Sequence, residues 1–389
     1  MQLQLAHQDK QRVPSFFFIL HHSIFNVRNF HLFCKIFSCP PPSLNTIIMS
    51  SENPLQVIDV SKADQATADE LLKAAMGQGF LMIEGHDFTQ QEVDELFVLS
   101  KNYFEAPFEE KMKYKISENN HGYTAFGAEN LDEEHPDKPK GDPKEGFNFA
   151  CLNLAKGETE EKVPPLFLEE ANAAKVKSAI LKFKKSVDKI LVLLAMGLKV
   201  DQANGGADYF LKRHAGNKES GSAFRFLHYP NPKSLNPEEV IRAGAHTDYG
   251  GVTLLFQREG EGGLEIHSPI TKTWTPVPFV GASPKFKNAG SAPPLVVNIA
   301  DQLSFWTNGI LKSTIHRVKF PKEAQLSGKS RYSIVFFSHP NDDTLLEPVP
   351  SEIVKQVKGR GAGYDLEKFG KSLTAGEHLL KRLAATYTY

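Results

Sequence analysis

The chain has 389 residues, enough to bury a substantial core in one large domain or two smaller ones. Apolar residues at 41% and charged residues at 23% are ordinary globular values, which excludes a disordered polyelectrolyte and a multi-span membrane protein. With 45 basic against 46 acidic residues the net charge is −1, so no global field draws the chain to nucleic acid or to a membrane surface, and the expected partner is a small molecule.

The first 48 residues stand apart. They hold seven of the 28 Phe and four of the 14 His, with one acid, Asp9, against Lys10, Arg12, Arg28 and Lys35. The apolar stretch Ser15–Phe25 is broken by His21-His22 and is too short to span a bilayer, which takes about 20 residues. Residues 1–48 therefore read as an extension, non-native or targeting, with translation expected to start at Met49. Three cysteines, Cys34, Cys39 and Cys151, build no disulfide framework, and the chain has no Asn-x-Ser/Thr sequon. A reducing compartment, the cytoplasm, is expected.

From Met49 the chain falls into two zones. The first reads as mostly helical: a strand-like run Leu55–Val60, a capped helix Thr67–Met76, a short strand Gly79–Glu84, and a helix opening at Thr89 with Glu92 three positions on. Glu118–Asp142, polar and rich in Gly, Pro and Asp, reads as a long surface loop. From Ala173 to Val200, apolar residues at Val176, Ile180, Phe183, Val187, Ile190, Leu191 and Leu194 form the stripe of a long helix facing a core. After Ser222 the pattern changes to short β-branched and aromatic runs: Ala223–Tyr229, Val252–Gln257, Gly263–His267, Thr273–Val277, Leu295–Ile299, Ile315–Phe320 and Tyr332–Phe337. Seven such strands without intervening helices imply a sandwich or barrel. The tail from Tyr364 returns to helix, with a cap at Thr374.

Three points of the β zone carry chemistry. His246 and Asp248 sit two apart, which on an extended segment aims both side chains to one face. His316, 70 residues downstream in another strand-like run, offers a third ligand. Two His and one carboxylate on one side of a metal leave open positions, the arrangement of non-haem Fe(II) oxygenases. Arg331 and Ser333 share a strand face, and an inward guanidinium there requires an anion, whereas an outward one would snorkel to solvent.

In this order, His246-x-Asp248, His316 and Arg331-x-Ser333 resemble the iron(II)/2-oxoglutarate-dependent dioxygenases, specifically the isopenicillin N synthase-like branch. The likeness extends over nearly everything after residue 55, including the Gly79-Phe-Leu-Met-Ile-Glu-Gly-His segment and the last helix. It implies a mainly β fold with flanking helices. A double-stranded β-helix (jelly roll) over 201–350 would follow a helical N-terminal region, 49–200, and precede a C-terminal helical tail, 351–389. It implies that His246, Asp248 and His316 hold Fe(II), that Arg331 and Ser333 bind the distal carboxylate of 2-oxoglutarate, and that Tyr229 of the Tyr-Pro pair assists. The implied reaction consumes O2 and 2-oxoglutarate, releases succinate and CO2, and oxidises a small molecule, with hydroxylation the usual outcome. Leu227 departs from the pattern, since some plant members carry Asn at this position.

Strand alternation from an inward Tyr229 places Leu227 and Arg225 on the same face and Phe224, Phe226 and His228 on the other. Arg225 is then either a substrate anchor or the partner of a structural acid. Tyr123, Phe147 and Phe337 are the further residues expected on the substrate side, with core packing as their alternative. Three other readings stay open: a related oxidase that needs no 2-oxoglutarate, a Zn2+ hydrolase on the same triad, and a catalytically silent jelly-roll binding protein.

Overall fold

Short runs of Val, Ile, Leu and Phe bounded by Gly, Pro and Asp bury both faces only when they pair into layered sheets. The computed structural model describes residues 53–131, 141–231, 241–358 and 361–386. The chain divides into two units, Met1–Ile48 and Met49–Tyr389, and everything described belongs to the second. The expected extension over 1–48 lies outside the described residues.

In chain order the strands are β1 Val57–Asp59, β2 Phe80–Glu84, β3 Gly122–Thr124, β4 Glu145–Phe149, β5 Leu152–Asn153, β6 Glu158–Thr159, β7 Ala223–Tyr229, β8 Ile241–His246, β9 Val252–Phe256, β10 Leu264–His267, β11 Trp274–Pro276, β12 Leu295–Ile299, β13 His316–Lys319 and β14 Arg331–Ser338. Among the described residues one sheet has eight strands in the order β1-β2-β12-β9-β14-β7-β4-β3, and a second has four, β11-β10-β13-β8. From β7 onward the chain passes back and forth between these two sheets, as a jelly roll requires, and the fold is mainly β with flanking helices. Among the described residues the pairings between these strands are antiparallel except β1 with β2.

The helix Glu170–Gly197 packs one stripe, including Ile180, Phe183, Val187, Ile190 and Leu194, against the outer face of the larger sheet. Phe183 is its centre: the ring lies 4.8 Å from Phe88, 5.7 Å from Phe256, 5.8 Å from Phe224 and 5.5 Å from Phe336. Two capping boxes fix helix starts where the sequence places them. Thr89 and Glu92 bond reciprocally ahead of Gln90–Phe104, and Thr374 and Glu377 do so at the start of Ala375–Thr386, with bonds of 2.9 and 3.1 Å.

The stretch Glu118–Asp142 departs from the expected surface loop, although 132–140 lie outside the described residues. Its described part carries β3, and Glu129 and Asp142 are buried to 2% and 0% exposure. Among the described residues of this stretch, Glu129 pairs with Lys144 and Arg225 and Asp142 lies 3.9 Å from Lys144, whereas Glu118 and Asn119 are exposed as expected. The N-terminal region is likewise not helical throughout, because β1 to β4 extend both edges of the larger sheet.

Because Phe183 contacts rings from both the sheet and Phe88, Phe183→Ala is expected to lower the unfolding free energy by about 3–5 kcal/mol. The denaturation midpoint in urea, read by circular dichroism, checks this.

Candidate active site

β7 and β14 pair with Arg331 opposite Tyr229, Ser333 opposite Leu227, Val335 opposite Arg225 and Phe337 opposite Ala223. Directly opposed residues share a face, and all eight face a cavity between the sheets of about 1100 Å³, partly open to solvent. The alternate residues Phe224, Phe226, Ile334 and Phe336 enter the core under the long helix.

The second sheet supplies the triad. His246 ends β8, His316 begins β13, and the two are register partners with ring centroids 4.3 Å apart. Asp248 follows in the turn after β8, its Oδ1 3.7 Å from Nε2 of each imidazole. Nδ1 of His246 lies 2.8 Å from the Gly244 carbonyl and Nδ1 of His316 3.2 Å from the Thr314 carbonyl. A carbonyl only accepts, so each Nδ1 carries a proton, and each Nε2 is turned towards Asp248. Asn298 Nδ2 donates to Asp248 Oδ2 at 2.8 Å, leaving Oδ1 for the common focus. One ligand atom from each residue falls within 4.8 Å of the others. Two imidazole nitrogens and one carboxylate oxygen suit a divalent first-row metal with open positions.

Electrostatics agree with that use. Burial, reinforced by His316, pushes the His246 pKa down to about 4, so its imidazole is neutral at physiological pH. Burial alone would raise Asp248, but His316, His246 and bonds from Asn298 and Thr253 outweigh it and hold the carboxyl below its ordinary value.

Further along the cavity, Arg331 and Ser333 are 2% and 1% exposed. Arg331 Nε donates to the Glu261 carbonyl at 3.1 Å, and its guanidinium lies 4.9 Å from the Tyr229 ring centroid. Arg331 Nη1 and Ser333 Oγ are buried without a hydrogen-bond partner. Burial raises the Tyr229 hydroxyl pKa against the lowering effect of Arg331, keeping it a neutral donor. A guanidinium nitrogen and a hydroxyl, both unpaired and facing one cavity, fit a carboxylate.

Of the residues expected on the substrate side, Phe337 faces the cavity, but Tyr123 and Phe147 do not. They are register partners on the opposite face of the sheet. Tyr123 donates its hydroxyl to buried Glu145, and Phe147 packs 5.1 Å from Tyr103 and 4.9 Å from Phe149. On β4 it is Gly146 and Asn148 that oppose the inward Leu227 and Arg225, so Phe147 must point outward. Arg225 faces the cavity and also meets an acid, with Nη1 and Nη2 at 3.2 and 3.0 Å from Glu129. Sequence reasoning missed Asn298, Glu129, Lys144, Asn148, His339, Leu379 and Leu383, all of which line the cavity. Alternation along Glu145-Gly-Phe-Asn-Phe could have found Asn148 once that segment was read as a strand.

A jelly roll whose two sheets enclose a His/Asp/His focus and a buried Arg defines the class of non-haem iron oxygenases. The comparisons agree along most of the chain. Residues 55–170 match the family of the non-haem dioxygenase in morphine synthesis N-terminal region, and 221–340 match the 2OG-Fe(II) oxygenase superfamily. A Schizosaccharomyces pombe protein, UPF0676 protein C1494.01, is 33% identical over 85% of this chain and 92% of its own length. The 2-oxoglutarate-dependent dioxygenase tropC of Talaromyces stipitatus is 26% identical over 82% and 88%. Full-length Neurospora crassa T7H in complex with alpha-KG superposes with a TM-score of 0.65 at 26% identity, over 86% of this chain and 97% of that one. The chain belongs to the 2OG-Fe(II) oxygenase superfamily and is an iron(II)- and 2-oxoglutarate-dependent dioxygenase that oxidises a small molecule, with O2 as co-substrate.

Burial also lowers His214 and His378 to about 4 and His339 to about 3, so with His246 four imidazoles are held neutral in the fold. Unfolded, each titrates near its ordinary value of about 6.5. Below that value the unfolded chain takes up the extra protons, so stability present above about pH 6.5 is lost as pH falls towards 4. Urea midpoints of the chelator-treated protein should decline steadily across that window; a flat profile would contradict the buried neutral imidazoles.

Proposed function

We propose that His246, Asp248 and His316 hold the Fe(II), and that Arg331, Ser333 and Tyr229 hold the distal carboxylate of 2-oxoglutarate. The observation that carries the second assignment is the pair of unpartnered buried donors, Arg331 Nη1 and Ser333 Oγ. An uncompensated guanidinium in a dry wall is unfavourable, and a carboxylate between these donors removes the penalty. The same observation favours a 2-oxoglutarate enzyme over an oxidase or hydrolase that would leave the donors unused.

Fe(II) held there together with 2-oxoglutarate would supply O2 activation and the oxidising power for an unreactive C–H bond, with succinate and CO2 as co-products. The protein's own part is positional. The backbone carbonyls of Gly244 and Thr314 fix both imidazole tautomers, Asn298 orients the carboxylate, and Asp248 supplies the one anionic ligand. Leu227, Leu255, Leu264, Val296, Val318 and Val335 line the cavity with apolar surface that limits water around the reacting groups. Phe337 and Arg225 border the space left for substrate. Hydroxylation is the outcome we assign, with homoarginine-6-hydroxylase from Arabidopsis thaliana among the similar proteins and thymine a ligand of the Neurospora enzyme. Both names are those of small polar molecules, one a charged amino acid and the other a neutral ring. Among the described residues no helix is long and apolar enough to cross a membrane; the free, exposed Cys151 supports the cytoplasm as its location.

Asp248→Ala is expected to abolish turnover and weaken Fe(II) binding sharply, with the far-ultraviolet circular dichroism unchanged. Truncating one side of a buried charged pair costs about 2–5 kcal/mol. Arg331→Gln should therefore weaken 2-oxoglutarate binding roughly 30- to 4,000-fold, with Arg331→Lys intermediate because it keeps the charge and loses the planar fork. Titration calorimetry on the anaerobic Mn(II) protein decides this, and equal affinities for wild type and Arg331→Gln would remove the assignment.

A further inference from the structure

Among the described residues, polar atoms along the cavity that are buried without a partner include Arg331 Nη1, Ser333 Oγ, Asn298 Oδ1, Asn148 Oδ1 and His339 Nδ1. The first two belong to the co-substrate, and Asn298 is committed through its amide to Asp248. Asn148 and His339, 2% and 6% exposed, remain. Asn148 Nδ2 donates to the main-chain oxygen of Asn120 at 3.2 Å and to its side-chain oxygen at 3.0 Å. A main-chain oxygen can only accept, so the amide orientation is fixed and Oδ1 is the acceptor left over. It lies on the inner face of β4, opposite Arg225.

The charges on this wall already answer one another. Arg225 pairs with Glu129, Lys144 pairs with Glu129, and Lys144 lies 3.9 Å from Asp142. A cationic substrate would face two cations, and an anionic one would have to displace Glu129 from Arg225. The groups left for a substrate are uncharged, and burial keeps His339 neutral.

Geometry sets the size. Thr253, Phe337 and Ala223 lie in one cross-strand row, and Leu255, Val335, Arg225 and Asn148 form the next. Asn298, which holds Asp248, opposes Thr253 on the neighbouring strand. From β9 to β4 there are three strand spacings, roughly 14 Å between backbones. That span has to hold metal, co-substrate and substrate together, which favours a compact substrate. The Phe337 ring faces the small Ala223 across the strand pair, which favours a flat body.

We propose that the substrate is a neutral, compact, planar molecule that presents an amide- or imide-type N–H to Asn148 Oδ1. This rests on the 2-oxoglutarate reading above, and the experiment separates the two. The full-length Mn(II) protein is saturated anaerobically with 2-oxoglutarate and titrated in a calorimeter with uracil, with 1,3-dimethyluracil, which keeps the ring and loses both N–H groups, and with L-arginine. Uracil is expected to bind at least about tenfold more tightly than its dimethyl derivative, the penalty for leaving a buried acceptor unmet, and L-arginine not to bind. In Asn148→Leu the preference for uracil should disappear while 2-oxoglutarate affinity is retained, which also shows that the variant is folded. The wild-type comparison stands without the variant. Equal or tighter binding of 1,3-dimethyluracil, tightest binding of L-arginine, or binding of none of the three beside bound 2-oxoglutarate overturns the inference alone. Failure of the wild type to bind 2-oxoglutarate overturns the co-substrate reading and this inference with it.

Discussion

The antiparallel pairing of β7 with β14 sets the parity on which the rest of the molecule depends. Side chains alternate across a sheet with period two, so a slip of one residue would exchange Arg225, Leu227 and Tyr229 for Phe224, Phe226 and His228. Both faces resist that slip. On the outer face Phe224 and Phe336 lock against Phe183 of the long helix. Beside them His228 bonds Glu145 at 2.7 Å, Lys111 bonds the same carboxylate at 2.8 Å, and Tyr332 stacks on His228 at 4.6 Å. A shifted register would strand that buried ion pair and move a guanidinium into the aromatic core, a penalty far larger than one mispaired hydrogen bond.

Given that parity, the cavity has polar ends and an apolar middle. At one end Asp248 Oδ1 lies 3.7 Å from each of two imidazoles, and at another Arg331 Nη1 is buried without a hydrogen-bond partner. The third polar group is closed on itself: burial alone would raise the Glu129 carboxyl, but Arg225 and Lys144 hold it well below its ordinary range. Asp142 differs, since burial raises it even though the Leu131 and Gly244 amides bond its oxygens at 3.1 and 3.0 Å. The Gly244 bond ties this cluster to β8, two residues before His246. The ion pairs thus connect the β4 wall to the strand that carries His246.

What could be read from the sequence followed periodicity and short spacing. The stripe from Val176 to Leu194, the inward set Arg225, Leu227 and Tyr229, and the His246-x-Asp248 spacing are local patterns, and the fold places each on the face its period implies. Other features depended on contacts distant in sequence. β8 carries Gly244 between small residues and has no β-branched run to mark it, so its pairing with β13 came only with the fold. Tyr123 and Phe147 are aromatic, but facing the cavity or the core is decided by register with β7, which no local property encodes. Glu129 and Asp142 sat in a stretch whose charge looked like solvent exposure. Only the fold shows that those charges meet Lys144 in the interior.

The final helix carries the dependence one step further. Leu379 and Leu383 line the cavity, so a segment that reads as a tail is one of its walls. Arg382 reaches Thr247 at 3.3 Å and Asp301 at 3.2 Å, and Thr247 in turn donates to Asp301 at 3.0 Å. The Asp301 amide bonds the Asp248 carbonyl at 2.9 Å, and Gln302 bonds the Ala375 carbonyl at 2.7 Å. The turn that presents Asp248 is therefore braced from two sides, by Asn298 on the sheet and by the Asp301–Arg382 contact from the helix. Because the capping box at Thr374 sets where that helix begins, it also sets how far Leu379, Arg382 and Leu383 reach along the cavity. The position of the Asp248 carboxylate is thus linked mechanically to a hydrogen-bonded turn more than one hundred residues later in the chain.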